Sequence, residues 1–229
     1  MKYNYQEITM RLDAYLVETD HFESRTRSKK AIKGGHVRIN GKIVTKPSKL
    51  VKQEDAVEVD EGYDRPEGYF KLAHIQEITN VLQPDDLALD IGSSAGGFLL
   101  FASETVRNIR GIECSLHFKP QLEKIVSENE NASIIFADAF NVDLQVLSAE
   151  KVDVILSDLT LDPPDSLVIL VRLFPLLKPG GRIVQVIKIN RGHSRKPVIE
   201  QIGSIGFTIL NVLESEKEEI YIVAKKNNQ

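Results

Sequence analysis

Residues Ala88 to Phe98, with the sequence ALDIGSSAGGF, decide the fold that this chain is predicted to adopt. Residues 87–89 form a short apolar strand that ends on Asp90, and an apolar helical run begins at Phe98. A strand, a loop of small residues and a helix in this order bring backbone N–H groups and a helix N-terminus close to a ligand. The stretch therefore predicts a ligand-binding loop. The alternative is a tight turn between a core strand and a core helix.

The spacing of residues in the loop indicates which ligand it suits. The loop departs from the dinucleotide fingerprint because Ser94 occupies the third position of that pattern, where a glycine belongs. It is not a P-loop, because no Gly-Lys-Ser/Thr follows. An acid on the strand before the loop suits a ligand with positive charge and hydroxyl groups. S-adenosylmethionine, with its sulfonium, amino group and ribose, fits that description.

The stretch resembles the first motif of Rossmann-like methyltransferases, Asp-x-Gly-x-x-x-Gly-Gly-Phe. The resemblance implies that the loop binds S-adenosylmethionine, with glycines that let the backbone approach the ligand without an intervening Cβ. The residues of this motif that are implied to bind the cofactor are Asp90, Gly92, Ser93, Ser94, Gly96, Gly97 and Phe98.

Apolar strand segments and helical segments alternate through most of the chain. A helix is predicted from Phe70 to about Leu82. The predicted strands are Leu87–Ile91, Ile109–Glu113, Ser133–Ala137, Val152–Ser157, Arg182–Ile187, Thr208–Leu213 and Ile220–Ala224. Near-continuous apolar strands between helices are typical of a largely parallel sheet that is covered on both faces. We therefore expect an α/β, Rossmann-like seven-stranded domain over residues 70–229.

Acids end the next three predicted strands as well. Glu113 ends the second strand, where an acid can bond both ribose hydroxyls of a nucleoside cofactor. The methyltransferase resemblance implies that Asp138, at the end of the third strand, meets the adenine amino group. Asp158 ends the fourth strand and is a further candidate cofactor residue. Ligands in such sheets bind at the carboxyl ends of the strands, so these acids are expected to share one site.

The segment VDVILSDLTLDPPD, residues 152–165, allows two interpretations. Its Asp-Pro-Pro, residues 162–164, resembles the Asp/Asn-Pro-Pro-aromatic motif of amino-group methylases, which bind a flipped base. Asp165 stands where the aromatic residue belongs. We therefore favour Asp158 as the functional acid, and we predict that the two prolines start the next helix, where proline is tolerated.

The N-terminal part of the chain is strongly basic, although the 229 residues carry a net charge of −4. The segment from Phe22 to Gln53 contains ten lysine and arginine residues and one acid, so it carries +9 and the remainder carries −13. A basic module attached to an acidic body indicates that one part binds a polyanion. The alternative is a charged face that meets only solvent.

The predicted elements of this module follow a loose lead at residues 1–9. They are a helix over Arg11–Thr19, a second helix from the N-cap Ser24 to Lys33, a hairpin turn at residues 40–41 and a strand over Ala56–Val59. The residues RLDAYL … SRTRSKKAIKGGHVRINGKIV … KPSKLV resemble the S-four RNA-binding domain. The resemblance implies an RNA-binding domain over residues 1–60, followed by a linker over residues 61–69.

The S-four family docks a helix pair on structured RNA, which agrees with a rigid basic face that contacts phosphates. The candidate RNA-binding residues are Arg11, Arg25, Arg27, Lys29, Lys30, Lys33, Arg38 and Lys42.

A lysine, Lys188, ends an otherwise apolar predicted strand, and such a lysine is costly to bury unless it has a partner or a task. It completes a resemblance to the FtsJ-like ribose methyltransferases, which use a Lys-Asp-Lys-Glu tetrad. The resemblance implies catalytic roles for Lys71, Asp158, Lys188 and Glu219, with Glu218 as the alternative to Glu219. With the basic module in front, the chain resembles the TlyA-like (hemolysin A) group of RNA methyltransferases.

Two roles are open for Lys188 in methyl transfer. As a general base it would need a pKa lowered by burial and by the neighbouring ammonium group of Lys71. Otherwise it orients the ribose hydroxyl and stabilises the negative charge that develops there. Both roles require the amine to lie at the reacting hydroxyl.

The leading hypothesis is an S-adenosylmethionine-dependent RNA methyltransferase that acts on ribose 2′-hydroxyls, with ribosomal RNA as the expected partner. One alternative is base methylation through the Asp-Pro-Pro segment. The other is a non-catalytic RNA-binding protein that retains the cofactor fold.

Several functional classes are not expected from this sequence. The five histidines show no ligand spacing, so no metal site is predicted, and the single cysteine, Cys114, is expected to pack at the end of a core strand. No apolar run approaches the roughly 20 residues that span a bilayer, and no apolar core follows Met1. A cytoplasmic protein without a membrane partner is therefore expected.

Overall fold

The computed structural model describes residues 9–60, 62–159, 161–189, 194–215 and 218–228. These residues form two compact units, of which the first ends at Pro66 and the second begins at Glu67. The predicted loose lead lies outside the described residues except for Thr9, which begins a strand. The last three residues of the predicted linker, 67–69, belong to the first helix of the second unit.

The first unit consists of two short helices and two small antiparallel sheets. Its elements are β1 (Thr9–Arg11), α1 (Leu12–Glu18), α2 (Arg25–Lys33), β2 (Val37–Ile39), β3 (Lys42–Ile43), β4 (Leu50–Lys52) and β5 (Val57–Val59). β1 pairs with β4, and β2 lies between β3 and β5. Neither β1 nor β4 was predicted from the sequence.

Local sequence explains both the helix N-cap and the hairpin turn that were predicted for this unit. The Ser24 side chain accepts a hydrogen bond from the backbone N–H of Arg27 at 3.4 Å, so the N-cap of α2 is confirmed. Asn40 and Gly41 have φ values of 51° and 74° between β2 and β3. Positive φ at both central residues is the geometry of the tight hairpin turn that Asn-Gly favours.

The second unit contains the predicted seven-stranded sheet. Its helices are α3 (Glu67–Thr79), α4 (Gly97–Ser103), α5 (Lys119–Glu128), α6 (Leu144–Leu147), α7 (Pro163–Leu173) and α8 (Lys196–Ile205). Its strands are β6 (Leu87–Ile91), β7 (Asn108–Glu113), β8 (Ala132–Phe136), β9 (Val152–Ser157), β10 (Leu177–Lys188), β11 (Phe207–Glu214) and β12 (Glu219–Lys226).

The order of strands in this sheet is β11-β12-β10-β9-β6-β7-β8. The five strands from β10 to β8 run parallel, whereas β12 is antiparallel to both β10 and β11. Helices cover both faces: side chains of α3, α4 and α5 pack on one face, and side chains of α7 and α8 pack on the other. The predicted α/β fold class, with a largely parallel and doubly covered sheet, is confirmed.

The two elements whose predicted boundaries differ most from the structure are α3 and β10, and both differences have local causes. The helix predicted over residues 70–82 is α3, which begins three residues earlier and ends at Thr79. The residue after it, Asn80, adopts φ 49°, a left-handed conformation that ends a helix. β10 begins at Leu177, five residues before the predicted start. Its pairing with β9 shifts register between Leu177 and Arg182, so the Pro-Gly turn lies in an irregularity of the strand.

Gly97 sits where the first turns of α3 and α4 touch. A Cβ at Gly97 would lie 2.5 Å from the backbone nitrogen of Tyr69 and 2.7 Å from the backbone of Gly68. Since backbone atoms cannot rotate away as a side chain can, the two helices would have to separate.

We therefore expect Gly97→Ala to lower the free energy of unfolding by about 1–3 kcal/mol, the usual cost of overpacking. The free energy of unfolding is measured by urea denaturation, with circular dichroism as the probe. Gly203→Ala in α8 is the matched control, because a Cβ there meets nothing within 4 Å. That variant should be unchanged or gain up to about 1 kcal/mol from helix propensity. Equal stability of the two variants would contradict the close contact of α3 with α4.

Candidate active site and RNA-binding surface

The five parallel strands of the second unit have their carboxyl ends at one edge of the sheet. The loop from Gly92 to Gly96 follows β6 at this edge and leads into α4, whose N-cap is Gly96. Glu113 ends β7, and Asp158 follows β9 directly. This edge is the usual ligand-binding position in an open α/β sheet, so the strand-end residues define a candidate site.

Asp90 is a buried carboxylate without a partner. Its side chain is 0% exposed, and neither of its oxygens has a hydrogen-bond partner among the described residues. Burial raises the pKa of Asp90 to about 7, and the negative charges of Asp158 and Glu113 add to this effect. A buried and unpaired acid at the carboxyl edge fits a ligand that brings its own positive charge.

Glu113 links the loop that follows β6 to the loop that follows β7. Its Oε2 accepts a hydrogen bond from the backbone N–H of Ser94 at 2.8 Å, and its Oε1 accepts one from Ser115 N–H at 2.7 Å. Each carboxylate oxygen has a second lone pair, so the side chain can hold the loop in place and still accept a hydroxyl.

The third acid of the predicted cofactor site differs from the other two because it is exposed. Asp138 follows β8, and its Oδ1 accepts a hydrogen bond from the backbone N–H of Phe140 at 2.9 Å. Asp138 therefore stabilises the loop that follows β8. Phe140 is itself partly exposed beside it and offers an apolar surface at this rim.

The glycine pair has a packing role that the sequence did not reveal. Gly96 has φ 83°, and a Cβ there would meet Ile125 of α5 at 2.3 Å, so its missing side chain makes room for α5. Gly97 contacts the backbone of α3, and Phe98 is buried in the core beneath. These three residues therefore also pack the loop against α3, α5 and the core, in addition to the cofactor-binding role that the motif implies.

The remaining loop residues lie beside the strand-end acids. Gly92 has φ 81°, and a Cβ there would meet the side chain of Leu159 at 2.5 Å. Ser93 is buried and donates from its hydroxyl to the backbone carbonyl of Asp90 at 3.3 Å. Ser94 has φ 50° and turns its backbone N–H toward Glu113. The backbone N–H groups of residues 92–94 thus bind β7, where those of Gly92 and Ser93 donate to the Ile112 carbonyl and that of Ser94 donates to Glu113.

Lys71 connects α3 to two strands of the sheet. Its Nζ lies 2.8 Å from Asp158 Oδ2 and 3.3 Å from Glu219 Oε1. Its side chain is 13% exposed, and that of Glu219 is 8% exposed. Three members of the predicted tetrad therefore meet at the carboxyl edge, although they are separated by up to 148 positions in the chain.

The two carboxylates decide the charge of this lysine. Burial lowers the pKa of Lys71, but the nearby charges of Asp158 and Glu219 outweigh burial, so its pKa is raised above the ordinary lysine value. Lys71 is consequently an ammonium group at neutral pH. It can orient acids and attract negative charge, and it cannot act as a general base.

Lys188 lies at the end of β10 and is exposed, so it lacks the burial that the general-base role requires. It is paired in register with Glu219 of β12. Side chains at directly opposed positions of antiparallel strands project from the same face, with Cβ atoms about 5 Å apart. Lys188 therefore borders the cluster of Lys71, Asp158 and Glu219 from the solvent side.

The structure distinguishes Glu219 from its alternative. Glu219 is buried against Lys71, whereas Glu218 is exposed and its backbone carbonyl accepts a hydrogen bond from Ile189 N–H at 2.9 Å. Glu219 is accordingly the acid that joins the cluster.

Tyr221 is a member of the cluster that the sequence analysis missed. Its hydroxyl donates to Glu219 Oε1 at 3.0 Å, and Lys71 Nζ lies 5.7 Å from the centre of its ring. Because positions 219 and 221 of a strand project from the same face, the spacing of the two residues was the available signal.

The Asp-Pro-Pro segment begins a helix, as predicted. Pro163 and Pro164 are the first two residues of α7, and Asp162 is its N-cap. Both Asp162 and Asp165 are exposed.

The basic residues of the first unit surround a buried carboxylate that the sequence analysis did not identify. Asp13 is 0% exposed, and Arg11, Arg25 and Lys29 lie within 3.0, 2.8 and 3.8 Å of its oxygens. Hydrogen bonds from Arg11, and then from Arg25, lower the pKa of Asp13 to about 2 although burial opposes them. Asp13 is thus ionised at neutral pH.

The other candidate RNA-binding residues fall into two groups. Lys30, Lys33 and Lys42 are exposed. Arg27 donates to the backbone carbonyl of Arg65 at 2.7 Å, and Arg38 forms an ion pair with Asp60. Arg25, Lys29 and Lys33 are therefore exposed along α2, whereas Arg27 and Arg38 are engaged within the unit.

Other expectations from the sequence concern metals, cysteine and membranes. Within the described ranges, no group of three or more His, Cys, Asp or Glu side chains could hold a metal ion. Cys114 is exposed, so the expectation that it packs in the core is wrong. In the part of the chain that the structure describes, no helix combines the length and apolar character needed to cross a membrane.

The chain matches two families in sequence. Residues 10–57 match the S4 domain, and residues 65–227 match the FtsJ-like methyltransferase. The ribosomal RNA large subunit methyltransferase E of Desulfatibacillum aliphaticivorans is 29% identical over 173 residues, which cover 67% of this chain and 80% of that protein. An uncharacterized protein of Methanocaldococcus jannaschii is 26% identical over 146 residues. That match takes in 60% of this chain and 40% of the relative's length.

Solved structures share the fold. A Streptococcus thermophilus protein provisionally named a hemolysin has a TM-score of 0.66 at 17% identity, over 96% of this chain and 90% of its own. Aeropyrum pernix fibrillarin, solved with natively bound S-adenosyl-L-methionine, has a TM-score of 0.59 at 22% identity, over 69% of this chain and 75% of its own. Because the methyltransferase match alone takes in well over half of the residues, the chain belongs to the FtsJ-like methyltransferase family and carries an S4 domain ahead of its methyltransferase domain.

Proposed function

We propose that this protein is an S-adenosylmethionine-dependent methyltransferase that modifies the 2′-hydroxyl of a ribose in ribosomal RNA. The observation that carries the proposal is the cluster of Lys71 with Asp158 and Glu219 at the carboxyl edge, bordered by Lys188. Relatives named ribosomal RNA methyltransferases support the substrate class. Ribosomal RNA as the substrate would place the activity in the cytoplasm.

The residues at the carboxyl edge fit S-adenosylmethionine. Asp90 would receive its positively charged end, Glu113 its ribose hydroxyls and Asp138 its adenine, with Phe140 beside the ring. Asp158 borders the site from β9. When bound, the cofactor supplies a methyl group on a sulfonium whose sulfur leaves neutral, so no metal is needed to stabilise the leaving group.

The tetrad would act by orienting the ribose hydroxyl. Lys71 remains an ammonium group, so its task is to fix Asp158 and Glu219 beside the cofactor site. Lys188 is exposed next to this fixed cluster, where an incoming ribose can reach its Nζ. It would align the hydroxyl and stabilise the negative charge that develops on the oxygen as the new O–CH3 bond forms, and the hydroxyl proton would be released to water at this exposed position.

The chemistry of the product tests the proposed position of the methyl group. Ribosomal RNA incubated with the protein and S-adenosylmethionine is hydrolysed in alkali and mapped. A 2′-O-methyl group blocks cleavage at its own nucleotide, so alkali-resistant dinucleotides are expected. Methylated bases with normal alkaline cleavage would instead support base methylation, and no incorporated methyl group would support the non-catalytic alternative.

We expect Lys188→Ala to lower turnover by about two orders of magnitude or more at saturating cofactor and RNA, as for the loss of a group that stabilises the transition state. Lys71→Met should have an effect of at least that size. The matched control is Lys178→Ala, which removes a lysine from the opposite end of the same strand, β10. Calorimetry should show unchanged cofactor binding for Lys188→Ala. Turnover within a few-fold of wild type would remove Lys188 from the proposed mechanism.

Asp90→Asn should stabilise the cofactor-free protein and weaken cofactor binding. In the unfolded chain Asp90 ionises near pH 4, and in the folded protein near pH 7. The folded state therefore loses stability as pH rises between these values. The melting temperature of the variant should exceed that of wild type by an amount that grows from pH 4 to pH 7 and then levels off.

Asp86→Asn is the control for this variant, because Asp86 is also buried but forms an ion pair with Arg182. Removal of a paired acid should lower the melting temperature at neutral pH. S-adenosylmethionine affinity should fall at least about tenfold in Asp90→Asn, since the loss of one charge-assisted contact exceeds about 1.4 kcal/mol. A lower melting temperature of Asp90→Asn at pH 8 would contradict an unpaired buried acid.

The double variant Lys30→Gln, Lys33→Gln should weaken RNA binding and flatten its dependence on salt. Each lost phosphate contact lowers the slope of log affinity against log salt by about 0.7–0.9. The control is Lys151→Gln, Lys178→Gln at the amino-terminal edge of the sheet. An unaltered slope in the first double variant would mean that the α2 surface meets only solvent.

A further inference from the structure

We propose that Asp13 is a positioning residue that arranges Arg11, Arg25 and Lys29 into a phosphate-binding trio on the first unit. The inference rests on the proposed RNA binding of this unit and deepens it. It assigns to a buried acid the task of setting the spacing at which an RNA backbone phosphate is received.

The three cations converge on one carboxylate. Arg11 donates from Nε to Oδ1 at 3.0 Å and from a terminal nitrogen to Oδ2 at 3.2 Å. Arg25 donates to Oδ2 at 2.8 Å, and Lys29 Nζ lies 3.8 Å from the same oxygen. The cations come from the end of β1 and from two successive turns of α2, so the carboxylate unites two separate elements.

The backbone places this carboxylate independently of the cations. The backbone N–H of Asp13 donates to the carbonyl of Pro47 at 3.0 Å, and that of Leu12 donates to Lys49 at 2.8 Å. Leu12 and Leu16 on the same helix are 0% exposed in the core of the unit. The backbone therefore sets the position of the Asp13 carboxylate, and the longer cationic side chains adopt conformations that reach it.

The trio retains both charge and surface for a ligand. Three cations and one carboxylate leave a net charge of +2. The side chains of Arg11, Arg25 and Lys29 are 46%, 52% and 46% exposed, whereas that of Asp13 is 0% exposed. A guanidinium has five N–H donors, and Arg25 uses one of them on Asp13, so donors remain for phosphate oxygens.

Fixed cations bind a polyanion at a lower entropic cost than mobile ones. A free arginine or lysine side chain samples many rotamers, and ordering it on binding costs affinity. Among the described residues, no ion pair joins Lys30 or Lys33 to a carboxylate, so α2 carries both kinds of cation. Asp13 thus gives Arg25 and Lys29 a preorganisation that Lys30 and Lys33 do not receive from an ion pair.

The test is Asp13→Asn in the full-length protein, with binding to a synthetic RNA hairpin measured by fluorescence anisotropy. The two explanations predict opposite signs. If charge alone determines affinity, removal of an acid beside the RNA strengthens binding. If Asp13 positions the trio, binding weakens by about tenfold because the cations must be ordered by the RNA itself. Affinity equal to or above that of wild type overturns the proposal.

A second variant covers the case in which Asp13→Asn does not fold. Arg25→Lys keeps the charge but removes the planar group that binds Asp13. Weaker binding by several-fold supports positioning, and unchanged binding overturns it. The matched control is Lys33→Arg, which also keeps the charge and should leave affinity unchanged. Melting temperatures of all variants establish that each is folded at the assay temperature.

The same assay distinguishes failure of the proposed RNA-binding surface from failure of the positioning role of Asp13. If the double variant Lys30→Gln, Lys33→Gln and the variant Asp13→Asn both bind RNA as wild type does, the proposed RNA surface itself is wrong. If the lysine double variant binds more weakly and Asp13→Asn does not, the RNA surface stands and only the positioning role of Asp13 is overturned.

Discussion

Parallel strands in one sheet end at the same edge, and this constraint brings Asp90, Glu113 and Asp158 together. Glu219 joins them because β12 runs antiparallel and begins at that edge. Each acid there meets the cost of burial differently. Asp158 and Glu219 share the ammonium group of Lys71, Glu113 accepts two backbone N–H groups, and Asp90 has no hydrogen-bond partner among the described residues. This unpaired carboxylate marks where a cation from outside fits best.

The two units treat charge in complementary ways. In the second unit one buried lysine is surrounded by two carboxylates, and in the first unit one buried carboxylate is surrounded by three cations. Each cluster is built around one buried charged side chain, and the groups at its rim face solvent in a defined arrangement. The first cluster leaves excess positive charge, which suits RNA. The second leaves excess negative charge, which suits a sulfonium.

Much of the fold could be predicted because its signals are local. The strands β6 and β9 match their predicted bounds, and Ser24 and Asn40-Gly41 have the side-chain and turn chemistry that their types favour. Burial could not be predicted in the same way. Lys188 ends an apolar strand and is exposed, whereas Asp13 is an acid in the first turn of α1 and is buried. Whether a strand end or a helix start faces solvent depends on elements that are distant in the chain.

The position of β12 affects the order in which the site assembles during translation. It lies between β10 and β11 and contributes Glu219, so the lysine at the centre of the cluster is fully enclosed only after this strand is inserted. During synthesis, Lys71 and Asp158 emerge from the ribosome long before Glu219 does. A chain whose synthesis has not yet reached β12 can therefore form the glycine loop while Lys71 has only Asp158 as its carboxylate partner. The order of translation thus delays assembly of the complete site until the sheet has received its antiparallel strand.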